Sequence, residues 1–270
     1  MFEPFYFSSE PLSALADQHR DAFRNARPFP HVVLNDFLPN SVLDKVVAEF
    51  PEPGSTPWKR FDKATSKKLA SEGDAFFGEF TRHVLTQFNS ATFLGFLEDL
   101  TGIDGLVGDP YFEGGGLHQI ERGGFLKVHA DFNRHEKLRL DRRLNVLVYL
   151  NKDWEESYGG ALELWNREMT RAEKRIFPVF NRFMVFATTD FAYHGHPEPL
   201  ACPPDRTRRS MALYYYTNGR PTQEQSSGHS TLYQARPGER RARARRAVER
   251  VTPPVLLDAA RHAKRRMVSH

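Results

Sequence analysis

Short, mostly hydrophobic runs of strand length, bounded by turn-forming residues, fill the middle of the chain. Four such runs, separated by turn-forming residues, cover residues 145–150, 160–165, 182–187 and 208–216. Several short strands at this spacing are typical of all-β sandwiches, barrels and jelly rolls. The pattern therefore predicts a mainly β core.

The stretch before this core has a different period. Hydrophobic residues at near-helical spacing predict a helix over residues 12–24 and further helices within 74–100, which we expect to pack against the outside of a sheet. Residues 28–39 predict a strand and a turn, after which Asn40 is placed to cap a helix over residues 41–50. The first part of the chain is thus predicted to be a helical support for the sheet.

Two histidines and an aspartate are the side chains best placed for chemistry. His129 and Asp131 lie two residues apart in a predicted strand, so both side chains point to the same side. A second strand would add His194. His196 lies on the same face of that strand and is the alternative, but Pro197 beside it suggests that the strand is already ending, which favours His194. Two imidazoles and one carboxylate leave half of a metal's coordination sphere open, as non-haem Fe(II) oxygenases require.

The last predicted strand combines a cation with small side chains. Its alternation puts one set of residues on a common face: Arg208, Ser210, Ala212 and Tyr214. An arginine binds a carboxylate through two parallel hydrogen bonds, and small neighbours leave room beside it. This face therefore suits a narrow pocket for a dicarboxylate.

Six segments between residues 117 and 217 occur in the order found in a known family. They are GGFLKVHAD at 123–131, YLNKDW at 149–154, GGALEL at 159–164, NRFMVF at 181–186, YH at 193–194 and RRS at 208–210. With these segments the chain resembles the iron(II)/2-oxoglutarate-dependent oxygenases, in the branch related to prolyl 4-hydroxylases. The resemblance implies a mainly β fold with supporting helices and a double-stranded β-helix (jelly-roll) core over residues 117–220. Residues 1–116 would support this core, and residues 221–270 would form a basic, partly helical extension.

The resemblance also implies a role for each matched residue. His129, Asp131 and His194 match the iron ligands of the family. Arg208 and Tyr149 match residues that bind the distal carboxylate of 2-oxoglutarate. The implied cofactors are Fe(II), with 2-oxoglutarate and O₂ as cosubstrates and ascorbate as a candidate reductant.

Two positions depart from the family pattern. The interval between the second histidine and Arg208 is longer than expected, so Arg206 or Arg209 is an alternative anchor for the cosubstrate. Either His118 or Gln119 stands where relatives often place another cosubstrate-binding tyrosine. The sequence leaves both choices open.

Two further groups are implied around this site. Residues 188–190 are candidates to fix the imidazoles through hydrogen bonds. Residues 52–73, rich in Lys, Ser and Pro, predict a mobile loop, and such a loop can fold over substrate in this family. Trp58, Arg60 and Lys63 within it are candidate substrate contacts.

The composition of the chain predicts a cellular compartment and marks a basic tail near its C-terminal end. With 40% hydrophobic residues and a single cysteine, Cys202, the 270-residue chain predicts a sizeable core in a reducing cytoplasm. No apolar stretch has membrane-spanning length, and residues 1–6 lack the order of a signal peptide, so we expect no membrane partner. Residues 236–266 contain eleven basic residues against three acidic ones, which we interpret as a solvated tail rather than a nucleic-acid site.

The sequence supports three functional hypotheses. The first is hydroxylation of a prolyl or other residue in a protein or peptide, which predicts an open groove beside the metal. The second is hydroxylation of a free amino acid or small biosynthetic intermediate, which predicts a closed pocket around the ligand. The third is a jelly-roll binding module without catalysis. The sequence does not indicate the oligomeric state or the substrate.

Overall fold

The computed structural model describes residues 4–55 and 58–239, and its first half contains four helices. They are α1 (Ser9–Asn25), α2 (Asn40–Ala48), α3 (Glu79–Gln87) and α4 (Ala91–Thr101). The predicted helices are confirmed, but the cap assigned to Asn40 is wrong, because this residue is the first of α2 and makes no capping bond. Its side-chain oxygen instead accepts a hydrogen bond from the amide of Asn181 at 2.7 Å.

Thirteen strands form one sheet within the described residues. They are β1 (His31–Asn35), β2 (Lys59–Lys63), β3 (Ser66–Ala70), β4 (Val107–Gly108), β5 (Gly116–Ile120), β6 (Phe125–Ala130), β7 (Asp141–Tyr149), β8 (Leu162–Trp165), β9 (Ala172–Ile176), β10 (Arg182–Ala187), β11 (His194–His196), β12 (Arg208–Thr217) and β13 (Leu232–Tyr233). The main order is β1-β10-β7-β12-β5-β3-β6-β11-β8-β9, and the named pairs are all antiparallel. This confirms the mainly β prediction.

The sheet curls so that its two halves face each other. A buried cluster joins Tyr149, Met184 and Phe186 from one half to Leu162 and Leu164 from the other. Such closure, with alternate side chains pointing inward, is the jelly-roll arrangement implied by the sequence resemblance. The candidate site lies among these inward-pointing residues.

The helices cover the outer face of the larger half of the sheet. Phe93 and Phe96 of α4 pack against Phe183 of β10, whose ring also stacks on Phe37 at 3.9 Å between centroids. All four belong to or border the main hydrophobic cluster. Phe93 and Phe96 are therefore core residues, as the prediction of helices packed on the outside of the sheet requires.

The mobile loop predicted over residues 52–73 is wrong for most of its length. Residues 59–70 form the β2–β3 hairpin, and β3 pairs with both β5 and β6. Backbone pairing to two neighbours outweighs the weak strand propensity of Lys and Ser. This hairpin closes the interval between the two halves of the sheet.

The compact unit that contains the sheet extends to Gln234. Its last strand, β13, pairs with β6. A second unit begins at Ala235, and most of it, including the greater part of the predicted basic tail, lies outside the described residues. No helix among the described residues is long and apolar enough to cross a membrane.

Candidate active site

His129, Asp131 and His194 meet inside the curled sheet. Strands β6 and β11 are antiparallel neighbours, and their register places the two histidines opposite each other. The Nε2 atoms of His129 and His194 lie 3.3 and 3.4 Å from the two carboxylate oxygens of Asp131. One ligand atom from each residue fits within 4.8 Å of the others, so the three could hold one metal ion.

Backbone contacts fix both imidazoles for this purpose. The Nδ1 atom of His129 lies 2.8 Å from the carbonyl oxygen of Lys127, and that of His194 lies 2.8 Å from the carbonyl oxygen of Ala192. A proton on each Nδ1 satisfies these carbonyls and leaves a lone pair on each Nε2, which faces Asp131. Burial also lowers the pKa of His194 to about 4, which favours the neutral form that a metal needs.

Two side chains of β7 hold the carboxylate of Asp131. Asn145 donates from Nδ2 to Oδ2 at 2.6 Å, and Arg142 donates from Nη2 to the same oxygen at 3.1 Å. Burial alone would raise the pKa of Asp131, but the charge of Arg142 and the nearby imidazoles hold that pKa well below its ordinary value. The donor set is therefore one ionised carboxylate and two orientable imidazoles, which fits a divalent iron ion.

Neither Arg142 nor Asn145 was identified from the sequence. The Oδ1 atom of Asn145 accepts hydrogen bonds from Nε and Nη2 of Arg142 at 2.9 and 2.6 Å, which locks the pair together. The guanidinium carbon also lies 3.4 Å from the ring centroid of Tyr214. Of the three candidates at 188–190, Thr188 contacts Asn145 at 3.4 Å, whereas Asp190 bonds to His229.

Arg208 and Tyr149 form the other end of the site. Arg208 is buried, and its Nη2 atom lies 3.4 Å from the hydroxyl of Tyr149. The Nε atom donates to the carbonyl oxygen of Gly160 at 2.8 Å. These contacts leave part of the guanidinium available for an anion. Arg208 has no carboxylate partner within the described part of the chain.

The two alternative arginines point elsewhere. Arg206 donates to backbone carbonyl oxygens of Lys152 and Asp153. Arg209 forms an ion pair with Glu52 at 3.0 Å, on the face opposite to Arg208. The structure thus brings only Arg208 of these three to the interior.

Strand register also separates His118 from Gln119. His118 pairs with Ser210, on the face of Arg208, whereas Gln119 pairs with Arg209 and bonds to Thr207 on the other face. His118 is therefore the one at the site. Burial lowers its pKa well below the ordinary value, and nearby positive charge acts in the same direction.

His196 lies inside as well, but away from the carboxylate of Asp131. Its register partner is Leu126, because a bulge in the β11–β6 pairing separates it from the His194–His129 pair. His196 is 3% exposed, and neither ring nitrogen has a hydrogen-bond partner among the described residues. A buried polar group without a partner is costly.

A cavity of about 750 Å³ adjoins the three candidate ligands. Its inner wall includes His129, Asp131 and Lys68, and its outer rim includes Tyr111 and Tyr233, which are 48% and 40% exposed. The cavity therefore connects the candidate metal position with solvent. Burial lowers the pKa of Lys68 to about 8, although Asp131 opposes this effect.

The candidate substrate contacts proposed from the sequence lie off this cavity. Trp58 is buried, stacks on Phe50 and donates from Nε1 to the carbonyl oxygen of Glu52 at 3.0 Å, so it is a core residue. Arg60 and Lys63 are exposed and do not line the cavity. The same hairpin instead contributes four other lining residues: Lys59, Phe61, Lys68 and Ala70.

Comparisons with known proteins agree with this geometry. A family model described as the 2OG-Fe(II) oxygenase superfamily matches residues 115–247. A prolyl-4-hydroxylase from Pseudomonas putida shares 17% identity and a TM-score of 0.51 over 77% of this chain and 100% of that protein. A prolyl hydroxylase from Trichoplax adhaerens, solved with a hypoxia inducible factor peptide, shares 19% identity and a TM-score of 0.51 over 77% of this chain and 91% of that one. The two structures share the fold of this chain.

Proposed function

The chain belongs to the 2OG-Fe(II) oxygenase superfamily, and on that premise we propose that it hydroxylates a C–H bond of a prolyl or other residue in a protein or peptide. It is an Fe(II)/2-oxoglutarate-dependent dioxygenase. Bound Fe(II), with 2-oxoglutarate and O₂, supplies the oxidation: one oxygen atom enters the substrate C–H bond, and the other enters succinate as CO₂ leaves.

The side chains divide this task between two ends of the interior. His129, Asp131 and His194 would hold Fe(II) through two Nε2 atoms and a carboxylate oxygen. Arg208 and Tyr149 would bind the distal carboxylate of 2-oxoglutarate by charge-assisted hydrogen bonds, which are stronger than neutral ones. This division fits the unpaired guanidinium of Arg208, which is buried without a carboxylate partner in the described part of the chain.

Buried neighbours position the metal ligands. The Arg142–Asn145 pair keeps Asp131 ionised and oriented, since both donate to it. The ring of Phe186 packs on that of His194 at 4.7 Å between centroids. Orientation of this kind brings the reacting groups into a productive geometry before the chemical step.

The observation that carries the substrate proposal is the shape of the 750 Å³ cavity. It extends from Asp131 to the exposed rings of Tyr111 and Tyr233, so a residue within a longer chain could enter while the flanking chain stays outside. A pocket for a small metabolite buries most of its ligand instead.

The single cysteine, Cys202, is a buried free thiol and supports the cytoplasm as the proposed compartment.

Succinate formation tests this proposal directly. Anaerobically purified protein is given Fe(II), 2-oxoglutarate and O₂, alone or with either a peptide fraction or a small-metabolite fraction of a cell extract. We expect the peptide fraction to stimulate succinate release and to gain 16 Da on a prolyl or other residue (the mass of one oxygen atom, about 16).

Two other outcomes would change the proposal. Stimulation by the metabolite fraction alone would replace the peptide with a free amino acid or a small intermediate as substrate. Absence of succinate under every condition, with iron shown to be bound, would contradict turnover and favour a binding role.

A further inference from the structure

Lys68 is an interior cation that the roles above leave unused. It lies in β3, where the register pairs its neighbours Leu69 and Ala70 with Gln119 and His118. Since alternate residues of a strand share a face, Lys68 points inward with Ala70 and His118. Lys68 also lines the cavity beside Asp131. The β2–β3 hairpin thus places an ammonium group in the interior.

This ammonium group has no anionic partner in the described part of the chain. Its Nζ atom lies over the ring of Phe61, 5.3 Å from the centroid. Lys59, in the same hairpin, by contrast bonds to Glu72 at 2.6 Å. The nearby carboxylate of Asp131 is already bonded to Arg142 and Asn145. A half-buried cation among other cations is unfavourable unless an anion joins it.

The charges around Lys68 locate where that anion would lie. Its electrostatic partners are Asp131 and Arg142 at the metal end and Arg208 at the opposite end. Lys68 is therefore within electrostatic range of both ends, and it shares the cavity wall with Asp131 and Arg142 at the metal end. A divalent metal at Asp131 would add further positive charge and strengthen the need for an anion here.

2-Oxoglutarate carries one carboxylate at each end, and Arg208 accounts for only one of them. We propose that Lys68 binds the other, metal-side carboxylate of 2-oxoglutarate, so that the cosubstrate is held by a cation at each end. This inference rests on the proposed function and adds a third cosubstrate-binding residue to Arg208 and Tyr149.

Binding of two oxo acids tests the assignment without relying on turnover. The full chain, loaded with Mn(II) in place of Fe(II), is titrated calorimetrically with 2-oxoglutarate and with 2-oxovalerate, which lacks the distal carboxylate. We expect Lys68→Met to weaken both ligands by about 10- to 100-fold, since a hydrogen-bonded ion pair is lost. Arg208→Met should weaken 2-oxoglutarate but leave 2-oxovalerate within about twofold of wild type, because that ligand makes no contact at the distal end.

Two further variants control for charge and folding. Lys67→Met removes the neighbouring lysine, which is exposed on the opposite face of the same strand, and should leave both affinities unchanged. Lys68→Arg keeps the charge and should recover much of the affinity lost in Lys68→Met. Agreement of the urea midpoints among the variants would show that folding is not the cause.

The outcomes separate this inference from the proposed function. Unchanged 2-oxoglutarate affinity in Lys68→Met would overturn the inference. If the KM for the substrate rises while that affinity is unchanged, Lys68 binds a carboxylate of the substrate instead. Weaker binding of 2-oxoglutarate but not of 2-oxovalerate would also overturn it, by moving Lys68 to the distal end. A wild-type protein that binds Mn(II) but neither oxo acid would contradict the proposed function itself.

Discussion

Replacement of Asn145 by Ala should weaken metal binding although Asn145 is not a metal ligand. Its amide donates to Asp131 at 2.6 Å, and its oxygen accepts two bonds from Arg142 at 2.9 and 2.6 Å. The variant would remove one of the two β7 donors to Asp131 and would leave Arg142 bonded to the carboxylate alone at this site. Both residues would then be free to turn away from the position that the metal requires.

The size of the effect follows from the number and type of the lost bonds. Loss of a group that orients a metal ligand typically lowers metal affinity by about 10- to 100-fold. That range corresponds to about 1.4 to 2.7 kcal/mol. Bonds to charged groups contribute about 1.5 to 3 kcal/mol each, and breaking a buried ionic network costs about 3 to 5 kcal/mol. We therefore expect the free energy of unfolding to fall by about 3 to 5 kcal/mol.

Asn151, two residues beyond the end of the same strand, provides a matched control. It is also buried and uses three bonds, donating to the carbonyl oxygens of Pro178 and Arg209 at 2.7 and 3.1 Å and accepting from the amide of Arg209 at 2.7 Å. All three partners are neutral backbone groups. Asn151→Ala should therefore destabilise the fold by about 1 to 3 kcal/mol and leave metal affinity unchanged.

Competition with a metal chelator measures affinity for Mn(II), and urea unfolding measures stability. The comparison between Asn145→Ala and Asn151→Ala separates a local effect on Asp131 from general loosening of the sheet. Equal losses of metal affinity in the two variants, or wild-type affinity in the first, would refute the argument that Asn145 positions the carboxylate.

Three further predictions concern the cosubstrate end and the core. Arg208→Met should raise the KM for 2-oxoglutarate at least tenfold (about 1.4 kcal/mol or more), whereas Arg209→Met, on the opposite face, should leave it near wild type; steady-state succinate assays decide this. Gly160→Ala should also raise that KM, because an added Cβ would lie 2.7 Å from Cδ2 of Leu200 and 3.0 Å from Cδ of Arg208 and would displace the arginine, while Gly159→Ala, with a similar φ of 73° but nothing within 4 Å, controls for backbone strain. Phe93→Ala should lower the free energy of unfolding by about 3 to 5 kcal/mol in urea, since the ring is fully buried, and should leave metal affinity unchanged in the protein that remains folded.

Residues whose common face follows from regular alternation along a strand were predictable. Residues that an irregularity in strand pairing redirects were not. His129 and Asp131 share a face because they are two residues apart, and this local rule needs no knowledge of the neighbouring strands. Arg142 and Asn145 are three apart and should diverge in a regular strand. The β12–β7 pairing shifts register between Tyr215 and Tyr216, so both side chains nevertheless reach Asp131. Bulges of this kind redirect side chains and leave no clear signal in a single sequence.

The β2–β3 hairpin was missed for a related reason. Its residues are rich in Lys and Ser, which local propensity assigns to a loop. The segment becomes a strand because β5 and β6 both offer it backbone partners. The error mattered for function as well as for fold, since it directed attention to Trp58 and away from Lys68, which faces the interior.

His194 and His196 have different surroundings that alternation along the strand does not predict. Both lie on the same face of one strand, so alternation alone cannot separate a metal ligand from a neighbour of the cosubstrate. The pairing with β6 separates them, because His194 is opposite His129 and the register shift leaves His196 opposite Leu126. Arg208 and Lys68 accordingly dominate the electrostatic surroundings of His196 after burial, whereas Asp131 and His129 do so for His194. A short irregularity in strand pairing thus gives two identical side chains of one motif different surroundings.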